Sequence, residues 1–251
     1  MLVALSPVGP VEAERDLADD EFSCPLCQHL VVLKRGRVKI AHFAHAPGAD
    51  CIAVGESPRH LLAKKVLAEQ FRGLGYHVEL EQIHSDGERR VDVAVWSDKS
   101  RQWVAVEVQD SPISVEAMKA RAQLDRRAGF LGTAWVWTGR RFDLLLPIQD
   151  GAEARIPPEM RWFNNRYKAG VFLLDAPNEE MWWVQFGSAG REGSSYDWYE
   201  QGGTLSGVDY PGRTLVATKR LFPERVSFRL EPIESPWHKP HKPDWGIVFT
   251  P

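Results

Sequence analysis

The sequence predicts a mixed α/β domain that follows a small Cys/His module and precedes a β-rich C-terminal region. Three observations carry this. Between residues 53 and 140 the apolar pattern runs helix, three strands, helix, strand, an order that needs at least one crossover connection. Residues 1–52 hold all three cysteines, together with His42 and His45, in a segment too short to fold on its buried surface alone. Residues 141–251 are rich in Pro and Gly and contain six of the ten tryptophans.

The elements follow in order. Residues 1–20 read as a short strand and then an acidic surface segment (Glu12, Glu14, Asp16, Asp19, Asp20, Glu21). Leu30–Ile40 reads as a hairpin turning at Arg35-Gly36. Ser57 can cap a helix, Pro58 suits its first turn, and Leu61, Leu62, Val66, Leu67 and Phe71 recur at helical spacing before Gly73 or Gly75 ends it. Strands are expected at Tyr76–Ile83, Arg90–Trp96 and Trp103–Gln109, a second helix at Val115–Ala128, and a buried strand at Phe130–Thr138. Beyond residue 140, short strands fit Ala169–Leu174 and Met181–Phe186. Residues 187–213 read as loop, and His238, His241 and Lys242 as an exposed tail. Trp162 reads as core; with Asn164, Asn165, Arg166 and Tyr167 it could instead form a base-stacking, phosphate-contacting surface.

With 43% hydrophobic and 26% charged residues among 251, the chain has the balance of a globular protein with a sizeable core. A net charge of -3 means that any nucleic-acid partner must meet a local basic patch. The apolar start, Met1 to Pro7, has no basic leader and runs into acidic residues, and no later run is long enough to cross a bilayer. The expectation is a cytoplasmic protein without a signal peptide or membrane span. An odd number of cysteines fits a reducing compartment.

Cys24-Pro-Leu-Cys27 is followed after fourteen residues by His42-Phe-Ala-His45. Two close ligand pairs flanking a hairpin match a tetrahedral structural zinc site, and Cys51 could replace either histidine. A buried pair of free thiols is the alternative; a redox pair would need a strand-then-helix context that is missing.

Asp92 alternates with Val91, Val93 and Val95, and Glu107 and Gln109 with Val104, Val106 and Val108. If the two strands pair through the Ser97–Ser100 turn, both carboxylates fall on the face opposite the valines and can hold Mg²⁺ or Mn²⁺. A half-buried sheet with a wet side gives the same pattern. The following helix carries Lys119 and Arg121, which could track a DNA backbone.

Cys24-Pro-x-Cys27, His42-Phe-Ala-His45, Glu56-Ser57-x-x-His60-x-x-x-Lys64, Asp92, Glu107-x-Gln109, Ser111-x-Ile113-Ser114, Arg121 and Trp135 occur in this order. Over residues 22 to 140 this set resembles the CoiA-like competence protein family, whose nuclease domain has the PD-(D/E)XK fold. The resemblance implies a mixed sheet flanked by helices and metal-dependent phosphodiester cleavage in DNA processing or recombination. It also implies catalytic roles for Glu56, Asp92, Glu107 and Gln109, metal binding by Asp92 and Glu107, and nucleic-acid contacts from His60, Lys64, Lys119 and Arg121. Gln109 stands where many relatives of the fold have lysine. Asp125 stands where a tyrosine is expected, four residues after Arg121. A non-catalytic DNA-binding recombination accessory with the same fold is the runner-up, and a zinc-stabilised interaction protein the third reading.

Overall fold

The structure, a computed structural model, describes residues 1–36, 39–51, 55–167, 170–188, 194–200, 203–209, 218–234 and 245–250. His238, His241 and Lys242 lie outside the described residues, as do the side chains of Arg166 and Tyr167.

Strands β1 (Val3–Ser6), β2 (Gly9–Glu12), β3 (Phe22–Ser23), β4 (Leu30–Lys34) and β5 (His42–His45) form an antiparallel sheet in the order β2-β1-β3-β4-β5. The acidic segment thus follows a hairpin, not a single strand. Met1, Ala4, Phe22, Val31 and Phe43 make its small core, with the Phe22 and Phe43 rings 5.0 Å apart. The expected turn at Arg35-Gly36 is a longer connection, and the strand that returns to β4 is that of the histidines. Ile40 explains the shift: it leaves the hairpin to pack against the core of the larger domain.

Next come α1 (Pro58–Gly73), β6 (Val78–His84), β7 (Arg89–Ser97), β8 (Gln102–Gln109), α2 (Val115–Arg127) and β9 (Gly132–Trp137). Ser57 Oγ accepts the N–H of His60 and caps α1, and Gly75, at φ 86°, takes up the left-handed turn after it. The α2 crossover sets β9 parallel to β8. After α3 (Arg140–Asp143), β10 (Glu153–Arg155) and α4 (Pro158–Tyr167), β11 (Val171–Asp175) runs parallel to β9. Then β12 (Glu180–Ser188) and β15 (Thr218–Val226) extend the sheet, whose order is β10-β15-β12-β11-β9-β8-β7-β6. The sheet therefore runs on past residue 140 into the C-terminal region. Its central strands, Ala-Trp-Val-Trp in β9 and Val-Phe-Leu-Leu in β11, are apolar on both faces because both are covered.

Two hairpins complete the chain: β13 (Ser194–Glu200) with β14 (Gly203–Asp209), and β16 (Arg229–Glu234) with β17 (Trp245–Thr250). The first corrects the expectation of loop at 187–213: Tyr196 and Trp198 alternate with polar residues, a strand pattern that the surrounding Gly and Ser conceal. On one face of the large sheet, Leu61, Val66, Leu67 and Phe71 of α1 pack on Val93, Val95, Val104 and Val106. Phe249 of the last hairpin stacks on Phe71, their centroids 6.0 Å apart. On the other face, Met118 of α2 and Met160 and Phe163 of α4 cover Trp135, Trp137 and Leu173. Each such side chain contributes roughly 1.5–3 kcal/mol by leaving water. Among the described residues no helix is long and apolar enough to cross a membrane.

Candidate functional site

The sheet is interrupted at one level. The β6–β7 register skips the Glu81/Asp92 pair, and the β7–β8 pairing stops short of Asp92/Glu107. Carboxylates replace the missing ladder bonds. Asp92 N donates to Glu107 Oε1 at 3.2 Å, and Val108 N donates to Asp92 Oδ2 at 2.9 Å. Glu81 has a left-handed backbone, φ 53°, that most side chains avoid; its side chain is buried. Beyond the break Val91 no longer shares a face with Val93 and Val95 but packs with Ala94, Ala105 and Phe130. The uniform valine face expected of this strand therefore ends at Asp92.

A cleft of about 680 Å³ opens there, lined by Glu56, Ser57, His60, Arg89, Arg90, Asp92, Glu107, Gln109, Asp110 and Arg121, among others. The two strand acids share it with different company. Asp92 faces α1, with His60 Nε2 3.2 Å from Oδ2 and Lys64 Nζ 3.9 Å from Oδ1. Burial would raise the Asp92 pKa, but His60, Lys64 and the Val108 N–H hold it well below the usual carboxylate range. Burial alone would lower the His60 pKa, yet Asp92 raises it. Glu56, just ahead of the α1 cap, meets Lys64 at 2.6 Å and Arg90 at 2.9 Å. These cations outweigh its burial and bring it down to about 2.

Glu107 faces α2. Its Oε1 lies 2.7 Å from Arg89 and its Oε2 3.1 Å from Arg121. Burial, with Asp92 beside it, pushes its pKa up, and the two guanidiniums offset only part of this. Arg89 is itself gripped by Asp125, with Nε at 2.9 Å from Oδ1 and Nη2 at 3.2 Å from Oδ2. Asp125 also takes His84 Nε2 at 2.9 Å and Thr133 Oγ1 at 2.8 Å. The residue that departs from the expected tyrosine is thus the buried bond between α2 and the sheet.

Gln109 lies in the cleft wall and donates its amide to the Ser111 carbonyl at 2.5 Å. Arg121 is 43% exposed at the cleft edge, and Lys119 is exposed with its ammonium 5.5 Å from the Trp162 ring centre. Lys64 is placed differently from the sequence reading. It is 0% exposed and its ammonium is held by Glu56 and, at 2.5 Å, Glu81, so it has no surface from which to contact nucleic acid.

Asp110 ties the site together. Ser57 Oγ donates to its Oδ2 at 2.5 Å and Arg140 N to its Oδ1 at 2.8 Å, which fixes the start of α1 to the ends of β8 and β9. Gly139, at φ 53°, passes so close that a Cβ there would strike the Asp110 carboxylate and Arg59 Cδ. Gly139→Ala is expected to cost about 1–3 kcal/mol. Urea unfolding checks this, and an unchanged midpoint would contradict it.

In the N-terminal module, Cys24, Cys27, His45 and Cys51 lie with one potential ligand atom each within 4.8 Å of the others, and could hold a metal ion. Cys24 directly follows β3, a turn comes next, and Gln28 at φ 61° folds the chain back so that its N–H reaches the Cys24 carbonyl at 2.9 Å. Burial pushes the Cys24 thiol up to about 11. In Cys27 the effect of burial is outweighed by the His29 backbone and the His45 ring, and the thiol falls to about 6. His42 stands apart. A spacing of three on a strand sends His42 and His45 to opposite faces, and His42 Nδ1 sits 2.9 Å from the Ile40 carbonyl. Cys51 takes the fourth place.

Sequence reasoning missed Arg89, Arg90 and Glu81. The Arg-Arg pair heading β7 was a visible signal. Glu81 had none, because its alternation with Leu80 reads as the wet face of an ordinary strand. Glu81 also joins the two units: Leu2 N donates to Oε1 at 2.8 Å and Val3 N to Oε2 at 3.3 Å.

Two family models match this chain. Residues 11–53 match the N-terminal domain of competence protein CoiA, and residues 56–145 match its nuclease-like domain. No curated protein and no solved structure gives a significant match. The two matches follow one another in chain order, cover just over half of the residues, and coincide with the Cys/His module and the cleft-bearing core. The chain belongs to the CoiA-like competence protein family.

Proposed function

We propose that the nuclease-like domain is a divalent-cation-dependent deoxyribonuclease acting in DNA processing or recombination, in the cytoplasm, with a zinc ion holding the N-terminal module. The observation that carries this reading is the meeting of Glu56, Asp92, Glu107 and Gln109 in one cleft rimmed by Arg89, Arg90 and Arg121. Hard oxygen donors in a half-enclosed site suit Mg²⁺ or Mn²⁺, and the three thiols with one imidazole suit zinc. A divalent cation would supply charge stabilisation to a phosphodiester under attack and acidify water. Around it Arg121, free to swing from Glu107, would take a phosphate oxygen, and Arg89 would stay fixed as a counter-charge. Gln109, its amide committed to Ser111, would offer Oε1 to orient a water proton. His60 lines the same wall, and Lys119 would extend the path of the DNA backbone.

Asp92→Asn and Glu107→Gln are each expected to lower cleavage of single- or double-stranded DNA by at least about 10³-fold, roughly 4 kcal/mol of barrier. A gel assay with Mg²⁺ and with Mn²⁺ checks this, and full activity in both variants would sink the proposal. The bonds of both Glu107 oxygens to arginine favour one second reading, a DNA-binding accessory without catalysis. Salt-sensitive DNA binding with no cleavage of linear, single-stranded or branched DNA would favour that reading.

A further inference from the structure

We propose that the hollow between α1 and the carboxyl ends of β9 and β11 is a base pocket, which takes one unstacked nucleobase of a DNA strand whose backbone lies in the neighbouring cleft. This rests on the reading of the cleft as a DNA site and names its substrate class, single-stranded DNA or an opened end.

The hollow has a volume of about 210 Å³, below the roughly 300–1,000 Å³ of pockets for drug-sized ligands. It has room for one base and not for a base pair. Leu62 of α1, Phe142 of α3 and Pro177 are its half-buried or exposed apolar walls, and Leu174 and Ala176 are its buried floor. Leu62 packs on the core of one face of the sheet and Phe142 on the core of the other, so the hollow lies at the end of the sheet where neither core closes. Apolar walls of this kind suit the faces of a base taken out of its stack.

The hollow and the cleft are one residue apart. Gly139 lines the hollow, and a Cβ there would strike the carboxylate of Asp110, which lines the cleft. Arg59 and Arg140, both exposed, stand on this ridge. Arg59 is turned aside to Asp143 Oδ2 at 2.5 Å, a surface pair weak enough to exchange for a phosphate. A strand leaving the cleft over the ridge therefore meets cations for its backbone and an apolar slot for its next base.

Asp175 also lines the hollow, and among the described residues only its Oδ2 has a partner, the exposed Asn178 amide at 2.8 Å. The other oxygen can accept an exocyclic amino group, which cytosine has and thymine lacks. Duplex DNA can offer a base only by breaking its pair, a cost that a single strand does not carry.

The test uses the full chain with zinc loaded and no added divalent cation, so that the strand stays intact. The probes are a short single strand of cytosines, its duplex, a thymine strand and an abasic backbone of the same length, with fluorescence anisotropy as the readout. Wild type is expected to bind the cytosine strand about 5- to 150-fold more tightly than the abasic backbone, the range for one base stack. The duplex should bind at least about tenfold more weakly than the single strand. A strand carrying 5-iodocytosine should cross-link to Phe142 under ultraviolet light, as mapped by mass spectrometry. Leu62→Trp, which fills the slot, should remove both the base dependence and the cross-link, and Asp175→Asn should narrow the preference for cytosine over thymine. Equal affinity of the wild type for the cytosine strand and the abasic backbone, where no variant has to fold, would overturn the pocket. So would base dependence and a cross-link that persist in Leu62→Trp. A Phe142 cross-link without cleavage in Mg²⁺ or Mn²⁺ supports the pocket and sinks the nuclease reading; cleavage with base-independent binding does the reverse.

Discussion

Replacing Asp125 by alanine is expected to lower stability by about 3–5 kcal/mol, the range for breaking a buried ion pair from one side. For a chain of this size that is a drop in melting temperature of roughly 6–20 °C. Asp125 is 0% exposed and serves three donors at once, Arg89, His84 and Thr133. Its removal leaves a guanidinium that is 4% exposed with only Glu107 for charge balance, and takes an acceptor from His84 and Thr133. The double variant Asp125→Leu with Arg89→Met should lose less than Asp125→Ala alone, because no buried charge is left unpaired. Circular dichroism melts decide the matter. A melting temperature for Asp125→Ala within about 3 °C of the wild type would contradict it.

Removal of zinc from the Cys/His cluster, the ion proposed to hold this module, should have the second large effect. A sheet of short strands around a few apolar side chains cannot hold itself, and metal binding supplies roughly 10–16 kcal/mol in comparable zinc-finger peptides. Chelation is expected to expose residues 24–51 to proteolysis while the large sheet stays folded. Cys24→Ser and Cys51→Ser should each reproduce the effect of chelation, and His42→Ala should leave the module intact. Zinc content and limited proteolysis of the three variants provide the check. A His42 variant that loses its metal, beside a Cys51 variant that keeps it, would refute Cys24, Cys27, His45 and Cys51 as the ligand set. Because Leu2 and Val3 donate to Glu81, which in turn holds Lys64, loss of the module should also slow any cleavage in the neighbouring cleft.

The elements from α1 to β9 were legible because each carries a local signature. Ser57-Pro58 and the spacing of Leu61 to Phe71 define a helix, the alternating valines define β7 and β8, and Ala-Trp-Val-Trp defines a doubly covered strand. The Cys24–Cys27 pair was legible for the same reason, since a ligand pair in one turn is local. The final choice of cluster ligand was not, nor were Glu81, Arg89 and Arg90 around the cleft. Whether His42 or Cys51 completes the cluster depends on which face of β5 each histidine takes.

By itself, then, the sequence determined the element order, the thiol pair, and Asp92 and Glu107 as the acids worth watching. Tertiary structure alone decided that Lys64 is buried and that Glu81 bridges two units. It also decided that Asp92 answers to α1 while Glu107 answers to α2. The physical reason is that each of these depends on a broken ladder and on charge pairing between residues distant along the chain. Period-two alternation assumes an unbroken ladder, and a single positive φ at Glu81 is enough to reverse the face on which a side chain lands.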